Sequence, residues 1–311
     1  MQFDLTDLRL FVATAELGNL TRAAERQHLS LAAASARIKA LEAQAGLQLL
    51  TREARGVRLL PQGEAFLHHA RLVLHQTDRL RDELLAYGGG LRGHLRVFAN
   101  TTAVTDFLPE LLPAFLAAHP RINVDLQEKP NAQIPRGVLE GRADIGIVAG
   151  NVDTLGLEAI HFSTDRLVLV TSGQHRFARR KRIAFAETLD EDAVGMAQGS
   201  TLQAFLTQIT EHLGRRQKLR IQLGSFDAMC RMIGSGVGIG VVPESAARRN
   251  QQAMQLALIE LSDAWCVRER YLLVRERASL PTYAKALVEA LCAHYAQAPE
   301  AERPELRASR P

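Results

Sequence analysis

Between Arg22 and Arg58 the chain carries seven basic side chains, Arg22, Arg26, Arg37, Lys39, Arg52, Arg55 and Arg58, against three acids, Glu25, Glu42 and Glu53. That surplus equals the net charge of +4 of the whole 311-residue chain. Interleaved with the bases are short hydroxyl side chains, Thr21, Ser30 and Ser35. Cationic side chains neutralise phosphates and release their counterions, while hydroxyls and the N–H groups at helix N-termini hold phosphate oxygens. The chemistry on offer here is binding of a polyanion.

A second set lies further on. Asn100-Thr101-Thr102 follows one strand-like run and Gly199-Ser200-Thr201 another, and each precedes a helical stretch. Ligands of open α/β sheets sit at the carboxyl ends of strands. Hydroxyls and helix N-terminal N–H groups would there be aimed at one crevice and favour a carboxylate or similar anion. Ala149-Gly150 ends a further strand-like run, and Ala149 and Phe226 are placed on the same crevice.

Catalysis is not expected. The chain has no Walker A motif, GxSxG, HExxH or CxxC. Its ten histidines show no metal-ligand spacing, and His68-His69 reads as solvated or packed. The three cysteines, Cys230, Cys266 and Cys292, are sparse and far apart, as inert thiols would be. No cofactor is implied. The glycines of residues 234–240 do not fit GxGxxG and suit a tight turn from helix to strand. Hydrophobic residues make up 47% and charged ones 23%, ordinary for a globular protein, and no apolar run approaches the ~20 residues of a membrane span. The N-terminus lacks the basic start and apolar stretch of a signal peptide, so a cytoplasmic location is expected.

The elements that must position the first set are helical. Leu8, Phe11, Val12 and Ala15 recur at helical spacing and Gly18-Asn19 ends that helix. Thr21 is the expected N-cap of a short second helix over residues 22–27, and Ser30 caps a third that runs to Ala45 and stops at Gly46. Two helices, a short turn and a third helix make a helix-turn-helix pattern. On a wheel at 100° per residue, Ala34, Ile38 and Leu41 form the inner stripe of the third helix, and Ala32, Ser35, Ala36 and Lys39 face away. Small outward residues would let the backbone enter a DNA major groove about 12 Å wide. Ser35 would reach a base or phosphate and Lys39 a phosphate. Arg37, at the edge of the stripe, would snorkel outward to read bases. Residues 47–52 and 57–60 read as a β-hairpin wing with Arg52 on it and Arg55 at its tip.

Pro61 suits the first turn of a long helix, roughly 40 Å from residue 61 to residue 87. Phe66, Ala70, Val73, Thr77, Leu80 and Leu84 form a heptad seam along it, which calls for a second copy. Gly88-Gly89-Gly90 reads as a hinge. Strand-like and helical stretches then alternate, predicting α/β structure with a largely parallel sheet in two similar lobes. The tail from residue 297 is polar and proline-rich and is expected to be disordered.

This order of parts resembles the LysR-type transcriptional regulators over residues 3–295. The most specific stretches are Asp7-Leu8-Arg9-Leu10-Phe11, Gly18-Asn19-Leu20-Thr21-Arg22-Ala23-Ala24, Leu29-Ser30, Ile38-Lys39-Ala40-Leu41-Glu42, Gly46 and residues 59–63. GRADIGI at 141–147 and GVGIGVVP at 236–243 are similar to that family's effector domain. The resemblance implies a winged helix-turn-helix over residues 1–60, a linker and dimerisation helix with hinge over 61–90, and an α/β effector-binding domain like periplasmic binding proteins over 91–296. Its first lobe would comprise about 91–161 and 268–296, its second about 162–267. It implies a sequence-specific DNA-binding regulator, dimeric or tetrameric, answering a small-molecule effector, with RNA polymerase as a further candidate partner. One departure matters. The family commonly has Gln and Pro after the serine of the third helix, where this chain has Leu31 and Ala32. Leu31 offers apolar contact, for example to a thymine methyl, in place of a polar base reader. Two other readings compete with this one. A solute receptor or carrier would use the two lobes but leave residues 1–60 without a task. A nonspecific architectural DNA binder would not need the lobes.

Overall fold

The computed structural model describes residues 3–53, 56–86 and 93–296. Arg55, the Gly88–Gly90 hinge and the tail lie outside the described residues. The chain divides into two compact units, residues 1–92 with 140–142 and residues 93–139 with 143–311.

The first unit contains α1 (Leu5–Leu17), α2 (Leu20–Arg26), α3 (Leu31–Ala45), the antiparallel hairpin β1 (Leu50–Glu53) and β2 (Gly56–Leu59), and α4 (Pro61–Ala86). Leu10, Phe11, Ala23, Ala24, Ala34, Ile38, Leu41, Leu49 and Leu67 form its core. Each fully buried large aliphatic among them contributes roughly 1.5–3 kcal/mol. The cap of α2 differs from the sequence expectation. Asn19, not Thr21, accepts the Arg22 N–H, at 3.0 Å, and Thr21 is an exposed residue of the first turn. An asparagine directly after the helix-ending Gly18 is the better acceptor.

The seam of α4 splits in two. Phe66 stacks edge-on against Phe11, with ring centroids 4.9 Å apart, and Ala70 is buried, so this end belongs to the core of its own unit. Thr77 donates to the Leu74 carbonyl. Val73, Leu80 and Leu84 are exposed, the last two by 57% and 63%. Apolar side chains this bare on a 26-residue helix leave a face for a partner.

The second unit contains β3 (Gly93–Ala99), α5 (Leu108–Ala118), β4 (Ile122–Glu128), α6 (Ile134–Leu139), β5 (Ile145–Ala149), β6 (Glu158–Ser172), β7 (Arg182–Ile183), β8 (Asp192–Met196), α7 (Thr201–His212), β9 (Lys218–Leu223), α8 (Phe226–Gly234), β10 (Gly240–Pro243), α9 (Glu244–Gln251), β11 (Leu256–Leu261), β12 (Val267–Val274) and α10 (Thr282–Ala296). The sheet is mixed rather than largely parallel. β4–β3–β5 is parallel, but β5–β12, β12–β6, β6–β11 and β6–β10 are antiparallel. The 15-residue β6 pairs with β12 along its first two thirds and with β10 and β11 towards its end, so β6 and β12 thread both lobes. The expected lobe boundaries therefore fall inside strands. Phe98, Ile134, Val138 and Val148 pack the first lobe, and Leu169, Val170, Phe185, Phe226, Met229 and Ile233 the second. A π-helical turn, Ala103–Phe107, precedes α5.

Candidate nucleic-acid interface and interlobe crevice

In the first unit, Ser30 caps α3 by accepting the Ala33 N–H at 3.2 Å. Neither α2 nor α3 has an acid in its first turn, so the positive ends of both helices are unopposed. The burial of α3 follows the wheel. Ala34, Ile38 and Leu41 are buried, and Leu31, Ala32, Ala33, Ala36, Lys39 and Ala40 are exposed. Leu31 is 49% exposed at the first helical position, an apolar tip presented to solvent. Ser35 is half-buried.

Arg37 departs from its expected role. Its Nη1 lies 2.7 Å from Asp7 Oδ1 and 3.2 Å from Asp4 Oδ2. Asp4 and Asp7 form the capping box of α1, so Arg37 ties α3 to the start of α1. The Asp7 backbone N–H and Arg37 hold the Asp4 carboxyl below the usual range.

The wing is fixed at both ends. Glu42 Oε1 accepts from the Leu49 and Leu50 N–H groups at 2.8 and 3.0 Å, which pins the chain leaving α3 to β1. At the other end, the Val57 N–H donates to the Gly18 carbonyl at 2.8 Å. Gly56 has φ +137°, and a Cβ there would lie 2.2 Å from the Gly18 oxygen, so only glycine lets the wing approach this closely. Arg52 sits on β1 opposite Val57. The neighbouring Arg58 pairs with Glu53 at 2.6 Å.

In the second unit the residues after β3 and before α7 meet through Asn131, which the sequence reading did not single out. Asn100 is 3% exposed; its amide donates to Asn131 Oδ1 at 3.1 Å and its oxygen accepts the Ala103 N–H. The Asn131 side chain donates to the Ala149 carbonyl at 2.7 Å, and its backbone N–H donates to Thr201 Oγ1 at 3.1 Å, linking the first lobe to the start of α7. Asn100, Ala149 and Thr201 are thus brought together. Thr101 spends its hydroxyl on Glu128 at 2.6 Å. Thr102 is half-buried and makes no capping bond, and Ser200 caps α7 through the Gln203 N–H. Phe226 was expected on the crevice but is 2% exposed, because it faces the apolar core of the second lobe from the first residue of α8. Asn131 was findable by the same rule that selected Asn100, since it follows the carboxyl end of β4. Arg268, whose Nη2 donates to the Ala149 carbonyl at 2.9 Å, carried no local signal.

A winged helix-turn-helix and a two-lobed α/β unit with polar loops converging between its lobes define a DNA-binding transcriptional regulator with a ligand-binding domain. Residues 5–64 match the family model for bacterial regulatory helix-turn-helix proteins of the lysR family, and residues 88–296 match the LysR substrate binding domain. The chain belongs to the LysR family. It is 28% identical over 271 residues to a probable RuBisCO transcriptional regulator of Trieres chinensis, covering 85% of this chain and 88% of that one. Its fold is similar to that of full-length CbnR in complex with its target DNA, with a TM-score of 0.62 at 24% identity over 93% of this chain and 99% of that one. It is also similar to the regulatory domain of CcmR from Synechocystis in complex with 2-PG, with a TM-score of 0.58 at 23% identity over 67% of this chain and all of that one.

Proposed function

We propose that the chain regulates transcription by binding specific DNA through α3 and the wing, and that a small molecule held between the two lobes modulates this binding. The observation that carries the reading is the exposed face of α3. Its alanines give clearance for a major groove, Lys39 and the capped helix starts face phosphates, and Leu31 gives an apolar probe of base edges. Thr21, Ser30, Ala32 and Ser35 contribute contacts to the same surface, and the wing arginines Arg52 and Arg55 are assigned to the DNA backbone on their sequence positions alone. Arg37 supports it from behind. The bare face of Val73, Leu80 and Leu84 fits a second copy, so that two heads meet two half-sites about one helical turn or more apart. A regulator that acts on DNA would work in the cytoplasm. Among the described residues, no helix is long and apolar enough to cross a membrane.

Effector binding between lobes would shift populations of the head arrangement, a differential binding effect. Footprinting on the DNA upstream of its own and neighbouring genes tests the reading. A protected site at low salt is expected, with affinity falling steeply as salt rises. Equal affinity for random DNA at physiological salt would sink it.

A further inference from the structure

Other arginines of β6, α9 and β12 come with acids. Arg166 Nη1 lies 2.6 Å from Glu260 Oε1, Arg249 pairs with Asp106 and Glu110, and Arg270 pairs with Asp165. Arg268 breaks this pattern. Among the described residues no carboxylate pairs with it. Its partners are the Ala149 carbonyl and the Phe205 ring, whose centroid lies 4.2 Å from the guanidinium carbon. It also lies against Gly150, where φ is +80° and a Cβ would stand 2.4 Å from the same carbon. Burial alone lowers its pKa, with no acid acting against it. A partly desolvated cation without a counterion is costly, and natural sites keep such a group where an anion arrives.

We propose that Arg268 is the anchor for a carboxylate group of the effector. The inference rests on the reading of the crevice as the effector site, and it commits that site to carboxylic acids. Arg268 stands where both lobes meet: Ala149 and Gly150 end β5 of the first lobe, Phe205 lies on α7 of the second, and Arg268 itself is on the threading strand β12. Phe205 is four residues from Thr201, one turn from the positive end of α7, so helix dipole and guanidinium act on the same space. Contact with the Phe205 ring and the close approach to Gly150 restrict the guanidinium, whose planar fork suits a bidentate carboxylate. Only one of its five N–H groups is used by the Ala149 carbonyl. That carbonyl also accepts from Asn131, so it keeps a donor when Arg268 turns to an anion. Glu128 is already engaged by Thr101 at the edge of this region.

The test uses the full chain. Thermal unfolding is followed with acetate, succinate and benzoate, and with acetamide, succinamide and benzamide at matched ionic strength. At least one acid should raise the wild-type midpoint saturably while its amide does not. Arg268→Met should weaken that acid at least tenfold. Arg268→Lys, which keeps charge but not the planar fork, should weaken it less, and Arg166→Gln should leave it unchanged. An acid response equal in Arg268→Met and wild type, amides as effective as acids, or no response to any of the three acids overturns the proposal. Footprints on the same samples separate the two readings. An intact footprint without an acid response removes the carboxylate anchor and leaves the regulator, whereas a missing specific footprint removes the regulator whatever the acids do.

Discussion

Arg37 Nη1 stands 2.7 Å from Asp7 Oδ1, and this contact joins the third helix to the cap of the first across 30 residues of chain. A residue that the wheel places at the edge of the DNA-facing side is thereby turned inward along the unit. Lys39, two residues on, is left as the exposed cation of the face.

Arg37→Ala should therefore act on α1 rather than on base reading. Both partners are solvated, so the loss of stability should be small. The order of preference among DNA sequences should be unchanged. The Asp4 carboxyl should rise towards its ordinary value, read by carboxyl-carbon NMR. The sign of the pH dependence follows. A lowered folded-state pKa gives stability that is present above the unfolded value, about 3.9, and is lost as pH falls through the folded one. That acid-side loss should be smaller in Arg37→Ala. An altered sequence preference at unchanged α1 stability would sink the assignment.

Lys39→Ala and Leu31→Ala should separate affinity from specificity. Removing Lys39 should weaken all DNA sequences alike and reduce the slope of log affinity against log salt by about 1. Leu31 is 49% exposed, so its truncation should leave the unfolding free energy within about 0.5 kcal/mol of wild type. Operator binding should nonetheless fall while nonspecific binding holds. Parallel losses for both variants on every sequence would contradict this division.

The features legible in the sequence were the local ones. Ser30, Gly46 and Pro61 mark helix ends by their own backbone and side-chain chemistry, and α3 shows the expected buried stripe. Contacts between distant segments were not legible. Arg37 finds Asp7, and Arg268 finds Ala149 across 119 residues. The mixed sheet was hidden for a related reason. β6 and β12 carry Asp165, Arg166, Arg268, Glu269 and Arg270 in mid-strand, which breaks the apolar run expected of a buried strand. Arg270 is tolerated because it pairs with Asp165 and Arg166 because it pairs with Glu260, while Arg268 is held by the Ala149 carbonyl and the Phe205 ring.

The two ends of the α4 seam should respond differently to substitution. Leu80→Asp with Leu84→Asp should shift the protein towards monomer in sedimentation velocity and leave the head folded, since both leucines are exposed. Phe66→Ala should destabilise the head by about 3 kcal/mol, the low end for a packed aromatic, because its ring meets Phe11 and Phe3. A monomer produced by Phe66→Ala at unchanged head stability would reverse the assignment.

The cysteines should be quiet. Burial, helped by the Asp227 carboxylate, pushes the Cys230 thiol up to about 11, and burial raises Cys266 and Cys292 as well. Only about one Cys230 in ten thousand is then thiolate at pH 7, and the thiolate is the reactive form. Labelling of the native protein at pH 7.5 should leave Cys230 unmodified on a timescale that fully labels the denatured chain. Rapid labelling of native Cys230 would refute this.

The cluster around Asp106 should couple the lobes energetically. Asp106, on the π-helical turn of the first lobe, is 2% exposed and contacts Arg249 and Ser245 of α9 in the second lobe. Its Oδ1 meets Arg249 as an ion pair rather than as an aligned hydrogen bond. Arg270 pairs with Asp165 and lies 3.9 Å from Asp106, with its guanidinium 4.8 Å over the Phe107 ring. Removing one partner of such a group leaves a charge in a desolvated place, so Asp106→Ala should cost roughly 3–5 kcal/mol in urea unfolding. Arg249 is more exposed and also reaches Glu110, so Arg249→Ala should cost less. The double variant should be less destabilised than the sum of the single ones by about 0.5–3 kcal/mol, because the second change removes a charge the first has orphaned. Additive costs would mean that the two residues act separately and that this contact does not join the lobes.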